Sequence, residues 1–176
     1  SVLAHCTLAG AKLHSCRLRH ATLMNADLSG AAMRDADLEG ASLQGADLHG
    51  ADLRGSVLLE ADLREADLRG ANFSNTDLRG ANLTGALIDG AIFDGADLAR
   101  AHISGPTCQD ISARNARTQG TTGNLVAALA AAGAPVPRIR FAASDEAELG
   151  VPFIAMERLP GRTFLVWEPH ESFDRS

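Results

Sequence analysis

Large apolar residues recur at every fifth position along most of the chain. From residue 3 to residue 103 there are 21 consecutive central positions, filled by 16 Leu, 2 Ile, 2 Phe and Met33. The position two before each centre is Ala in 16 of the 21 units, and the exceptions, Ser1, Cys6, Cys16, Ser56 and Thr76, are also small. Gly closes 12 of the units. A period of five matches neither the 3.6 of an α-helix nor the 2.0 of a flat strand. On a helix the centres would advance about 500° per unit and smear round every face. A strand that turns a corner once per unit does fit: the centre and the small residue point inward, and the other three positions point outward. Four such sides close a square coil of about 20 residues, and coils stack at about the 4.8 Å spacing of hydrogen-bonded strands. Gly at the unit's end suits a turn that needs a positive φ.

The aromatic positions agree with a 20-residue coil. Phe73 and Phe93 are 20 apart, so they are expected to stack on one inner side above Leu53 and Met33. Leu28, Leu48, Leu53, Leu68, Phe73 and Phe93 are the expected structural core. Composition sharpens the picture. With 45% hydrophobic residues in 176 the chain is too apolar for disorder, and 4% aromatics cannot fill a wide core, so small residues pack closely. The net charge of −6 argues against a basic nucleic-acid binder and a polybasic membrane anchor. No apolar run approaches the roughly 20 residues of a bilayer span. A cytoplasmic location is expected, with no direct nucleic-acid binding and no membrane. The pattern is already running at Ser1, which reads as a piece of a longer chain.

The units Ala26-Asp27-Leu28, Ala46-Asp47-Leu48, Ala51-Asp52-Leu53, Ala66-Asp67-Leu68 and Ala71-Asn72-Phe73 resemble the A(D/N)LXX signature of the pentapeptide-repeat family, over about residues 1–105. The resemblance implies an all-β solenoid, a right-handed quadrilateral β-helix, and we expect it over residues 1–120. The family includes quinolone-resistance proteins that resemble B-DNA in shape and charge and bind a type II topoisomerase. Those are usually more acidic and many carry projecting loops; this repeat has no inserted loop.

Residues 121–176 form the second expected unit, a short α/β appendage. The pattern fades after Gly105, with only Cys108 and Ala113 in register. Asn124 can cap a helix over 125–132 that ends at Gly133, before Pro135 and Pro137. Residues 138–143 and 153–159 read as two strands joined by an acidic turn, 144–150. The run from Leu125 to Arg138, with Leu149-Gly150-Val151-Pro152-Phe153-Ile154-Ala155-Met156-Glu157-Arg158 and Pro160-Gly161-Arg162, resembles part of the N-lobe of aminoglycoside-phosphotransferase-like kinases. The resemblance implies a hinge at Met156 to Arg158 that contacts adenine. A kinase also needs a strand Lys, a helix Glu and catalytic Asp residues. No Lys follows Lys12, Thr122 stands near the Glu position, and no His-x-Asp loop occurs. No phosphoryl transfer and no ATP binding are expected. Leu125, Val126 and Leu129 make an apolar stripe that can cap the last coil.

The chemistry-bearing residues read mostly as structural. Cys6 and Cys16 fill inward small positions and Cys108 a central one, as buried thiols do. His5, His14, His20, His49, His102 and His170 show no metal-ligand spacing. No catalytic residue, cofactor or metal site is expected. Asp27, Asp47 and Asp67 recur every 20 residues as one outer carboxylate column, and Asp37, Asp77 and Asp97 form a second, broken by Val57. Both columns are the candidate interaction surface. Arg34, Arg54, Arg64, Arg69 and Arg79 interleave with them, and residues 1–120 hold 15 Asp/Glu against 11 Lys/Arg. Asp at these positions also satisfies corner backbone groups. Three functions follow: a non-enzymatic scaffold for a protein partner, a DNA-mimicking binder of a type II topoisomerase, or an inactive fragment of a phosphotransferase-related fusion. End-to-end pairing of two copies is a further expectation.

Overall fold

A computed structural model describes residues 2–105, 108–123 and 132 of the chain. The chain divides into two compact units, Ser1–Pro137 and Arg138–Ser176, and the described residues lie in the first. The second position of each five-residue unit pairs in parallel with the second position 20 residues on, as in Val2 with Thr22, Thr7 with Asp27, Lys12 with Ala32 and Arg17 with Asp37. The bridges form four ladders, so each coil has four sides. We number the sides one to four by the ladders that start at Val2, Thr7, Lys12 and Arg17.

Backbone bonds run along the rod axis. Leu53 N–H donates to the Asn72 carbonyl at 2.9 Å, and Asn72 N–H donates to the Ala51 carbonyl at 2.9 Å. At each corner the next unit's first N–H returns to the preceding centre's carbonyl, as from Ala51 to Leu48 at 2.9 Å. The residue before it holds a positive φ, between 52° and 74° at every fifth position from His5 to Arg100. That combination is the pattern of a type II turn.

Gly suits that φ, yet nine of these corners carry a side chain and hold it as well, among them Glu60, Glu65 and Arg100. Asn, Asp and His visit the left-handed region more readily than Glu and Arg do. Their side chains lean along the axis over the next coil. A Cβ on Gly40 would lie 2.4 Å from His20 Nδ1, and one on Gly80 3.4 Å from Glu60 Cγ. One corner column therefore reads His20, Gly40, Glu60, Gly80, Arg100, Gly120. Glu60→Gly is expected to raise stability by about 1 kcal/mol, since relieving roughly 1–2 kcal/mol of left-handed strain exceeds the entropy of an extra Gly. Thermal melting checks this, and an unchanged or lower midpoint would count against strain at that corner.

The first and third positions of each unit face inward. Leu28, Leu48, Leu53, Leu68, Phe73 and Phe93 are all 0% exposed, and so are most of the Ala residues beside them. The Phe73 and Phe93 rings stack with centroids 5.2 Å apart and planes 6° from parallel. Where a hydroxyl replaces the inward Ala it bonds the backbone. Ser56 Oγ and Thr76 Oγ1 both donate to the Leu53 carbonyl, at 2.5 and 2.9 Å.

The structure carries the coil on past Gly105, where the residue pattern fades. Ser112, Arg117 and Thr122 bridge to Ile92, Asp97 and His102. Ala113 and Ala116 are 0% exposed, and Thr118 and Thr121 are buried. The geometry persists there because Ala113 fills the centre above the Phe93 ring and Thr121 Oγ1 donates to the Leu98 carbonyl at 2.7 Å. Ala113 N–H reaches the Ala132 carbonyl at 3.2 Å, the step that joins successive coils elsewhere. The expected strands, their turn and the hinge lie outside the described residues, as does the expected helix apart from Ala132.

Candidate interaction faces

The parallel ladder places the predicted columns side by side. Asp27, Asp47 and Asp67 are consecutive rungs on side two, between Thr7 and Leu87. Asp37, Val57, Asp77 and Asp97 are consecutive rungs on side four. Each carboxylate first serves its own corner. Its Oδ1 accepts the N–H two residues on, as from Ser29 to Asp27 at 3.1 Å, His49 to Asp47 at 2.9 Å and Arg69 to Asp67 at 3.1 Å. Asn72 and Asn82 do the same for Ser74 and Thr84. The bond fixes the corner, which is why Asp or Asn dominates the second position.

An Arg two residues after the Asp adds a clip. Arg54, Arg64, Arg69 and Arg79 each donate Nε and Nη2 to Asp52, Asp62, Asp67 and Asp77 at 2.5–2.8 Å. Sequence placed these Arg residues outside but did not pair them. Further pairs cross between coils at a spacing of 18: Arg34 to Asp52 at 2.6 Å and Arg19 to Asp37 at 3.5 Å. Arg117 approaches Asp97 at 3.6 Å. Among the described residues Asp27 and Asp47 have no ion pair, so side two keeps uncompensated charge. Its trailing corner is also bare: a Cβ on Gly10, Gly30, Gly50 or Gly70 would meet nothing within 4 Å.

Arg64, Arg69 and Arg79 hold the carboxyls of Asp62, Asp67 and Asp77 below the usual range, first through side-chain hydrogen bonds. Ser29 does the same for Asp27, and Ser112 for Asp94. A depressed folded value stabilises the fold above the ordinary Asp value of 3.8, and that stability is lost as pH falls below it. The melting midpoint is expected to hold from neutral pH to about 4 and then to fall. The variant D62N/D67N/D77N should show a flatter acid limb, and a limb as steep as that of the parent would sink this account.

The cysteines are free, and burial pushes the Cys16 and Cys108 thiols up, away from nucleophilic character. His102 makes contacts that sequence reasoning passed over: Nδ1 lies 2.8 Å from Thr122 Oγ1 and Nε2 3.3 Å from Ser104 Oγ. The 20-residue step from His102 to Thr122 was the available signal. Among the described residues no group of three or more His, Cys, Asp or Glu is arranged to hold a metal. No described helix is long and apolar enough to cross a membrane.

The family model for pentapeptide repeats matches in 8 copies, in segments running from 1–40 to 81–117. The chain belongs to the pentapeptide-repeat family. Solved pentapeptide-repeat proteins resemble it. HetL of Nostoc sp. strain PCC 7120, involved in heterocyst differentiation regulation, is 32% identical, with a TM-score of 0.48 and 71% of this chain covered. The chain spans 62% of the length of HetL. A pentapeptide-repeat protein of the Arabidopsis thaliana thylakoid lumen is 34% identical over 57% of this chain and 70% of its own, with a TM-score of 0.35. QnrB1, a plasmid-mediated fluoroquinolone resistance protein, is 18% identical over 72% of this chain and 84% of its own, with a TM-score of 0.41. A search of curated proteins finds no match. A second model, the phosphotransferase enzyme family, matches residues 112–176. Ser112, Arg117 and Thr122 fall in that stretch and are ladder rungs, so the match begins inside the coil, and Thr122 sits on side one.

Proposed function

We propose that this pentapeptide-repeat rod is a non-enzymatic scaffold that docks a protein partner with a basic surface on side two. One observation carries the reading. Among the described residues side two carries Asp27 and Asp47 without an ion pair beside a single clip, Arg69 on Asp67, while Asp37, Asp52, Asp62, Asp77 and Asp97 on the other sides each pair with an Arg. The Asx bonds hold these carboxylates in place, so a partner meets preorganised charge at low entropic cost. Like charges on neighbouring rungs, roughly 5 Å apart, also raise the local negative potential.

The regular column also favours a narrower reading, in which the partner is a type II topoisomerase whose DNA groove side two occupies. A gyrase supercoiling assay tests it: the protein is expected to inhibit the reaction or protect it from a quinolone, and D27N/D47N/D67N is expected to lose the effect. Inhibition that survives the triple change would reject side two as the contact. For the scaffold reading, the same variant should lose partners captured by cross-linking while melting like the parent; unchanged capture would overturn it.

A right-handed coil, a cytoplasmic location, end-to-end pairing of rods and a boundary near residue 120 belong to the same proposal. So does a capping role for the residues beyond it, supported by Ala132, which packs against the core cluster. If residues 121–176 were instead the working part of a phosphotransferase-related fusion, ATP titration would show binding; none is expected.

A further inference from the structure

Side three carries a surface notch of about 260 Å³ lined by Arg34, Asp35, Arg54, Gly55 and Asn75. Its floor comes from the corner column. Asp35, Gly55 and Asn75 hold φ of 55°, 69° and 57°, and the lack of a side chain at Gly55 opens the space between its neighbours. Asp35 leans into that gap, where a Cβ on Gly55 would lie 2.5 Å from its Oδ1.

The donors come from a shared carboxylate. Arg34 gives only Nε to Asp52 Oδ2, at 2.6 Å, while Arg54 gives Nε and Nη2 to the two oxygens, at 2.8 Å each. Asp52 also accepts the Arg54 N–H at 3.4 Å, which fills its acceptor sites. Both Nη groups of Arg34 and Nη1 of Arg54 are therefore left without an acceptor among the described residues. The Asn75 side-chain amide and the Asp35 carboxylate also make no hydrogen bond there. Arg64, Arg69 and Arg79 each spend two nitrogens on an Asp of their own, so two guanidiniums on one carboxylate distinguish Asp52 from those clips.

We propose that this notch binds an acidic side chain of a partner polypeptide. Its carboxylate takes the spare guanidinium N–H groups of Arg34 and Arg54 and the Asn75 amide, and an N–H of the partner's backbone donates to Asp35. Planar guanidinium donors match a carboxylate in geometry and charge. Asp35 in the floor repels a dianion such as phosphate and rewards a ligand that brings its own N–H. The site deepens the scaffold reading. A partner that folds round the glycine corner between sides two and three meets carboxylates on one face and guanidinium donors on the other.

The full chain, labelled with nitrogen-15, is titrated with N-acetyl-glutamate N-methylamide, its glutamine counterpart, acetate and inorganic phosphate, following the Arg Nε–H and Asn75 amide signals. The glutamate probe is expected to shift Arg34, Arg54 and Asn75 and to leave Arg79 in place, while the glutamine probe shifts none. Arg34→Gln is expected to weaken the glutamate probe about tenfold, as loss of a charged hydrogen bond does. Asp35→Gly suits the corner φ and should erase the preference for the glutamate probe over acetate. Equal shifts at Arg79, equal shifts from the glutamine probe, tighter binding of phosphate, or no shift at all would each overturn the site. Melting curves confirm that the variants fold. Failure here leaves capture on side two standing, so the two readings fail separately.

Discussion

Leu53→Asp unfolds the middle of the rod. Leu53 is 0% exposed, and its inner column continues as Met33 below and Phe73 above. A carboxylate there has no partner and no water, and an unpaired buried charge costs several kcal/mol beyond the lost apolar burial. The backbone suffers as well, because the Leu53 carbonyl accepts Ser56 Oγ, Thr76 Oγ1 and the Ser56 N–H. Any shift that lets the Asp escape breaks bonds in coils on both sides. In a solenoid each coil is stabilised by its neighbours, so the damage spreads along the axis. The expected result is loss of the cooperative melt, or a fall above about 4 kcal/mol, whereas Asn72→Asp on the outer face stays within about 0.5 kcal/mol. A melting transition unmoved by Leu53→Asp would refute the inward assignment of the centres.

Phe73→Ala carries the next largest effect. The ring lies between Leu53 and Phe93, stacked on Phe93 at 5.2 Å, in an interior held open on all four sides by backbone ladders. Such a core cannot close round a void, so the loss is expected at about 3–5 kcal/mol. Phe73→Leu restores the side chain found at most other centres and should cost no more than about 1.5 kcal/mol. Urea denaturation of both variants measures the difference. Equal losses would mean that the ring stack is not a packed layer.

The architecture was legible because the five-residue unit and the side of the coil are the same object. One residue per unit has room to be large, and Phe73 and Phe93 alone were enough to mark the 20-residue return. The corners were half legible: their positive φ followed from Gly, but Glu60 and Arg100 also adopt it, each leaning over a Gly of the next coil, Gly80 and Gly120, which no local window contains. The last coil lay within the expected reach of 1–120 but was less legible, because Ile111, Thr118 and Thr121 break the residue pattern while keeping its geometry. Thr121 does so by spending its hydroxyl on the Leu98 carbonyl. At the candidate faces, the columns of Asp27, Asp47 and Asp67 and of Asp37, Asp77 and Asp97 were visible. Their partners were not, since a clip needs Arg two residues on or eighteen back, and only the folded ladder shows that both distances end beside one carboxylate.

The alternation of side chain and Gly along the corner column of His20 bears on how such a rod can change length. His20 lies over Gly40, Glu60 over Gly80 and Asn75 over Gly95. Losing one coil of 20 residues after His20 would set Glu60 against His20, two side chains at a corner that elsewhere sets a side chain over Gly. Losing two coils would bring Gly80 to that place and keep a side chain over Gly at this corner. In hereditary terms the heritable module at this one corner is then forty residues long, twice the structural turn, while the all-Gly corner of Gly10, Gly30, Gly50 and Gly70 accepts a change of any number of coils.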